Sequence, residues 1–208
     1  MKSGKFITFE GGEGAGKSTQ IPYLKSYLES QGLEVIITRE PGGSEGAEQI
    51  RKLIVHGCPT RWDALTEYLL LSAARRDHIE KLIKPALNQG KWVICDRFFD
   101  SSLAYQGAGG GLPESQLQQI YHVLAPDFEP DITFIFDLPL EIAFKRVQRR
   151  AGHEERFEQM SLDFHRRVRN EFLKICKNHP QRCFLIDADQ PIEDIAKDIQ
   201  NHLIKIST

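Results

Sequence analysis

Apolar and polar positions along the chain follow two periods. Short runs rich in β-branched and aromatic residues lie at 5–10 (KFITFE), 34–38 (EVIIT), 91–96 (KWVICD), 131–137 (DITFIFD) and 182–187 (RCFLID), and each reads as a buried strand. Between them the spacing turns helical. Ile21, Leu24 and Leu28 repeat until Gly32 ends the pattern, and Leu140, Phe144 and Val147 share a face after Pro139, with Arg146, Arg149 and Arg150 on another. Strands alternating with helices require parallel crossovers, so the expected fold is α/β, a three-layer α/β/α sandwich around a five-stranded parallel sheet.

The polar, glycine-bearing stretches fall mainly after the strands: FEGGEGAGKS, REPGGSEG, DRFFDSSLAYQGAGGG and DADQP. An open parallel sheet binds ligands at the carboxyl ends of its strands, so these stretches are expected to be loops lining one cleft. The first contains G-x-x-x-x-G-K-S over 11–18, running Gly11, Gly12, Glu13, Gly14, Ala15, Gly16, Lys17 and Ser18, with Thr19 next. Glycines let backbone N–H groups turn inward around a phosphate, the lysine reaches the outer phosphates, and the hydroxyl serves Mg²⁺. The strand before it and the helix after it are the context that this phosphate-binding loop (P-loop) requires, so residues 11–19 are the expected site for a nucleotide's phosphates, ATP in the kinase reading below.

Composition narrows the possibilities. A chain of 208 residues fits one domain, which at this size buries about 70% of its unfolded surface. Lys plus Arg total 27 against 29 Asp plus Glu, a net charge of −2 that gives no general attraction to nucleic acid or to an anionic membrane. No run approaches the roughly 18–20 apolar residues that span a bilayer. The N-terminal MKSGKF has no apolar signal core, and the four cysteines show no paired framework, so a reduced, cytoplasmic protein is expected. Cys176, His179 and Cys183 are close in sequence, but a structural zinc site needs a fourth ligand and none is near.

Two further features carry chemistry. Asp96 ends a buried strand, where a carboxylate can hold Mg²⁺ through water beside Ser18. The helix after Pro139 runs into RRAGHEERFE, and arginines on a mobile segment suit a lid that covers a transferring phosphoryl group and excludes water, although a solvated charge run has the same composition. The D-x-x-G and N-K-x-D segments of switch GTPases are absent. A motor or packaging ATPase stays open, but a chain this short without a basic face fits a small-molecule kinase better, with Arg39, Arg51, Arg75 and Arg97 available for a second anion.

The segments TREPGG (38–43), LLLSAARRDH (69–78), DRFFDSSLAYQG (96–107) and ERFE (155–158) resemble those of bacterial thymidylate kinases over nearly the whole chain. The resemblance implies one thymidylate kinase domain over 1–208, with strand order 2-3-1-4-5, acceptor-binding segments at 38–51, 69–78 and 96–107 and a lid at about 149–158. It implies a homodimer that passes the ATP γ-phosphate to dTMP with Mg²⁺. By match of position, Arg51 and Arg97 clamp the dTMP phosphate. Arg75 and Gln106 hydrogen-bond thymine with Ser102 beside them, and Tyr105 crowds the sugar 2′ position. Glu13 and Glu40 lie near the sugar and the metal, and the metal set is Ser18, Asp96 and Glu40. The chain has Glu13-Gly14 where some relatives carry a P-loop arginine, which assigns that catalytic duty to Arg149, Arg150 or Arg156, alongside Lys17 and Arg97. It also has Leu71 where the family has a phenylalanine under the base. Two other readings remain: a monophosphate kinase of different or broader base preference, and a nucleotide-binding regulator that hydrolyses ATP slowly without an acceptor.

Overall fold

The computed structural model describes residues 4–58, 60–149, 157 and 160–207. Five strands, β1 (Phe6–Gly11), β2 (Val35–Arg39), β3 (Trp92–Asp96), β4 (Ile132–Asp137) and β5 (Cys183–Asp187), form one parallel sheet in the order β2-β3-β1-β4-β5. Each begins one residue later than the sequence pattern suggests. The flanking polar residues Lys5 and Glu34 still meet the ladder through their carbonyls, which accept from Val93 and Trp92.

Alternation along the strands divides the core in two. On one face Ile7, Phe9, Phe134 and Ile186 pack against α1 (Lys17–Ser30) and a C-terminal helix, Ile192–Ser207. The other face carries Phe6, Val93 and Cys95 under the extension of the helix Ala64–His78, while Ile135 and Cys183 lie under the helix Leu162–Asn178. With both faces covered, the central strands read as nearly continuous apolar runs, which is why the sequence pattern located them.

The register brings the strand ends level. Phe9 is opposite Asp96, Arg39 is opposite Asp96 and Asp137 is opposite Asp187, so the loops after β1, β2 and β3 open on the same edge. One segment departs from the expected loops. DRFFDSSLAYQGAGGG is largely helical, α over Phe99–Ser102 and then a π-helix over Leu103–Gly109. Its glycines read as loop signals, but packing against Leu162–Asn178 buries Leu103, Ala104, Tyr105 and Gln106 and outweighs that local preference.

Candidate active site

The loop after β1 starts from geometry that favours glycine. Gly14 and Gly16 have φ of 71° and 91°, and a Cβ on Gly14 would lie 2.7 Å from the carbonyl oxygen of Ala143. Gly16 is also the N-cap of α1, and it offers no side chain to the first amides of the helix. A helix start without its own side-chain cap presents N–H groups and the positive end of the helix dipole to an anion. Lys17 follows, only 6% exposed, and its Nζ donates to the carbonyls of Gly11 at 3.1 Å and Gly12 at 2.9 Å. Burial, aided by the Arg97 charge, lowers the Lys17 pKa to about 8 against the opposing pull of Asp96, Glu13 and Glu10.

Arg97 leaves β3 in the left-handed region, φ 69°, a strained conformation for a residue with a side chain. Both terminal nitrogens of its guanidinium are held. Nη1 donates to Gly11 O at 2.9 Å and to Ser101 Oγ at 3.1 Å; Nη2 donates to Glu13 Oε1 at 2.6 Å and to the Tyr105 hydroxyl at 3.2 Å. The same Glu13 oxygen accepts from the Tyr105 hydroxyl at 3.1 Å. Burial opposes ionisation of Glu13, but the charges of Arg97 and Lys17 and the Tyr105 hydrogen bond bring its pKa down to about 2.

Arg75 sits deeper. Its Nε donates to Glu40 Oε2 at 2.7 Å, and its Nη2 donates to Ser102 Oγ at 3.1 Å and Phe98 O at 3.2 Å. Its Nη1 is buried and has no hydrogen-bond partner among the described residues. Nearby, Gln106 Nε2 donates to Glu67 Oε1 at 2.7 Å, which fixes the amide. Arg51 donates to the carbonyl of Pro41 at 2.7 Å.

These groups line one cleft of about 320 Å³. Its lining includes the P-loop residues from Glu13 to Ser18 together with Arg51, Leu71, Arg75, Arg97, Tyr105 and Gln106. Thus all nine of the expected acceptor residues, Glu40 and Ser102 among them, line one cleft with the P-loop. Asp96 joins them, and its Oδ1 is a buried carboxylate oxygen with no partner among the described residues. Glu40 also lines the cleft. Its two oxygens are taken by Arg75 and by His78 Nδ1 at 3.2 Å, so it serves the arginine first. Arg149 caps the end of the helix Leu140–Gln148, is exposed, and is not part of the cleft lining. Arg150 and Arg156 lie outside the described residues, as does most of the lid expected at 149–158. Phe157 from that segment does line the cleft, its ring edge-on to Tyr105 with centroids 5.5 Å apart.

Sequence reasoning passed over the residues that hold these side chains. Ser101 and Glu67 each engage an expected site residue, and His78, behind Glu40, pairs through Nε2 with Thr38 Oγ1 at 2.7 Å. For His78 a signal existed, since it follows Arg75 by three residues and so shares its helical face.

The comparisons with known proteins agree. The family model for thymidylate kinase matches residues 9–199. A thymidylate kinase of Caulobacter vibrioides is 48% identical over 205 residues, covering 99% of this chain and 98% of its own. One of Magnetococcus marinus is 49% identical over 196 residues, covering 94% and 93%. The crystal structure of thymidylate kinase from Ehrlichia chaffeensis superposes with a TM-score of 0.80 at 37% identity, covering 97% of this chain and 99% of that one. The chain belongs to the thymidylate kinase family, enzymes that use ATP to phosphorylate dTMP to dTDP.

Proposed function

We propose that the cleft binds ATP at the P-loop and dTMP in the pocket of Arg51, Leu71, Arg75, Tyr105 and Gln106, and that phosphoryl transfer takes place between Lys17 and Arg97. The observation that carries this reading is a shared anchor. Lys17 Nζ and Arg97 Nη1 reach the same carbonyl, that of Gly11, at 3.1 and 2.9 Å, so a cation of the donor loop and a cation of the acceptor segment meet at one point.

A monophosphate ester has its second pKa at about 6, so at neutral pH the attacking oxygen of dTMP is largely deprotonated and needs no general base. The task is to align two anionic phosphates and neutralise the charge as it moves. Lys17 does this from the donor side and Arg97 from the acceptor side. Asp96 Oδ1 and the Ser18 hydroxyl, both on the cleft lining, are the hard oxygen donors that would hold Mg²⁺. When bound, Mg²⁺ neutralises charge on the outer phosphates of ATP. Arg149, Arg150 and Arg156 are the arginines available to a lid over the transferring group.

Acceptor choice rests on Arg75 and Gln106, whose polar atoms are held by buried carboxylates, and on Tyr105, whose hydroxyl is pinned by Glu13 and Arg97 beside the sugar. Initial rates with dTMP, dUMP, dCMP, dGMP and UMP test it. A strong preference for dTMP is expected; equal rates across the panel would favour a broad monophosphate kinase. ADP release unaffected by any monophosphate would leave an ATP hydrolase without acceptor.

We also read the enzyme as a cytoplasmic homodimer. The exposed apolar side chains Leu69 on the helix Ala64–His78 and Val123 on the helix Glu114–Leu124, 49% and 84% exposed, support a face that a second copy covers. Sedimentation of the purified chain tests the dimer.

A further inference from the structure

β1 is buried along its whole length, and the last side chain before the P-loop glycines is a carboxylate, Glu10, with no exposure to solvent. A carboxyl group removed from water needs hydrogen bonds to replace it. Glu10 finds both on one segment: Oε1 accepts from the backbone N–H of Phe98 at 2.7 Å, and Oε2 accepts from the hydroxyl of Ser101 at 2.5 Å.

Both donors lie just after Arg97. Phe98 N–H is the amide directly after the left-handed turn at Arg97, and the preceding amide, that of Arg97 itself, donates to Phe9 O at 2.9 Å. The residue pair 9–10 thus grips the pair 97–98 on both sides of a strained backbone position. Ser101 completes the connection: its proton goes to Glu10, so its oxygen is free to accept from Arg97 Nη1 at 3.1 Å.

We infer that Glu10 is a positioning residue for Arg97, fixing its left-handed backbone and orienting Ser101 so that the guanidinium stays at the junction of donor and acceptor sites. Glu10 touches no substrate; it acts on acceptor-phosphate binding through Arg97. This rests on the reading of Arg97 as the clamp of the dTMP phosphate.

Glu10→Gln is the decisive variant. It keeps the shape and one acceptor oxygen but presents an N–H₂ donor in place of the other, which sets it against the Ser101 hydroxyl and Arg97. Calorimetric titration with dTMP and with ATP, on wild type, Glu10→Gln, Arg97→Ala and the double variant, separates the possibilities. The expected result is a loss of dTMP affinity of about tenfold for Glu10→Gln, the size of coupling within one hydrogen-bond network. ATP affinity should stay near wild type, and the double variant should bind dTMP no worse than Arg97→Ala. Losses that add in the double variant, or intact dTMP binding in Glu10→Gln while Arg97→Ala is impaired, overturn the inference and leave the clamp standing. Intact dTMP binding in Arg97→Ala overturns the clamp itself. Should Glu10→Gln fail to fold, Ser101→Ala removes the same relay without disturbing β1. It is expected to weaken dTMP in the same way, and unchanged dTMP affinity there overturns the inference.

Discussion

Arg75 and Glu40 form an ion pair sealed from water, with Nε and Oε2 2.7 Å apart and the two side chains 2% and 4% exposed. The second oxygen of Glu40 faces His78 Nδ1, and His78 Nε2 faces Thr38 Oγ1. His78 thus links the Glu40 carboxylate to the Thr38 hydroxyl. A pair so placed is stable only as a unit, because removing one charge strands the other in a medium that cannot solvate it. Glu40→Gln is therefore expected to lower folding stability by about 3–5 kcal/mol. It should also weaken dTMP binding, since Arg75 loses its anchor. Urea denaturation together with dTMP titration checks both, and unchanged stability would show that the arginine had found another partner.

Lys17 is expected to matter to rate and not to fold. Its Nζ rests on two P-loop carbonyls in the free enzyme, and its charge is matched to phosphate that arrives with the substrate. Lys17→Ala should lower turnover by about a hundredfold to a thousandfold, the cost of removing one preorganised charge contact at a transition state. Its circular dichroism should remain that of wild type. Near-normal turnover would remove the P-loop from the chemistry.

Glu10 gives a pH dependence whose sign follows from its site. Burial first, and then the neighbouring Asp100 carboxylate, raise its pKa from 4.5 to about 7, against the Ser101 hydrogen bond, the Arg97 charge and the Phe98 N–H. Asp100 is itself paired with Arg182 at 2.7 and 2.8 Å. A carboxyl with a raised folded pKa favours the folded state when protonated. That contribution is complete below pH 4.5 and is lost as the pH rises through about 7. Over that window wild type should lose about 3 kcal/mol relative to Glu10→Gln, which cannot ionise. Thermal or urea unfolding of both proteins at pH 5 and pH 8 measures the change, and parallel curves would place the Glu10 pKa near its ordinary value.

The lid can be tested one arginine at a time. The P-loop presents Gly14 and no cation at that point, so at least one of Arg149→Ala, Arg150→Ala and Arg156→Ala should lower turnover while leaving dTMP affinity nearly unchanged, as expected for a group that acts only in the transition state. Full activity in all three variants would make the stretch a solvated charge run.

The central strands β3, β1 and β4 were legible in the sequence because they are covered on both faces and so appear as apolar runs, and the edge strands β2 and β5 keep apolar runs although Ile37 and Leu185 are exposed. The P-loop was legible from its glycine, lysine and serine spacing between a strand and a helix, and Asp96 from its place at a strand end. The supports of the site were not. Glu10 and Phe98 are 88 residues apart, and Glu40 and His78 are 38 apart; periodicity tells which residues are buried but not which buried polar groups meet. The π-helical turn at Leu103–Gly109 was hidden for a related reason, since its glycines signal a loop locally while distant packing makes the helix.

Leu71 lines the cleft four residues before Arg75 on the same helix, 9% exposed. If thymine lies over this side chain, leucine covers it with apolar area but without a flat π-face. A well-oriented aromatic contact adds about 0.5–1.5 kcal/mol beyond area alone. Leu71→Phe is accordingly expected to tighten dTMP binding by up to about tenfold, since 1.4 kcal/mol is one decade, with ATP affinity unchanged. The larger ring has a cost of its own. Overpacking a closed site takes about 1–3 kcal/mol, comparable in size and opposite in sign. The two effects separate when affinity and thermal stability are measured together, because stacking acts only on the complex while overpacking lowers the melting temperature of the free enzyme. Tighter binding at unchanged melting temperature supports a base above residue 71. If neither quantity moves, the ring meets no base, and the assignment of Arg75 to thymine loses the register on which it depends.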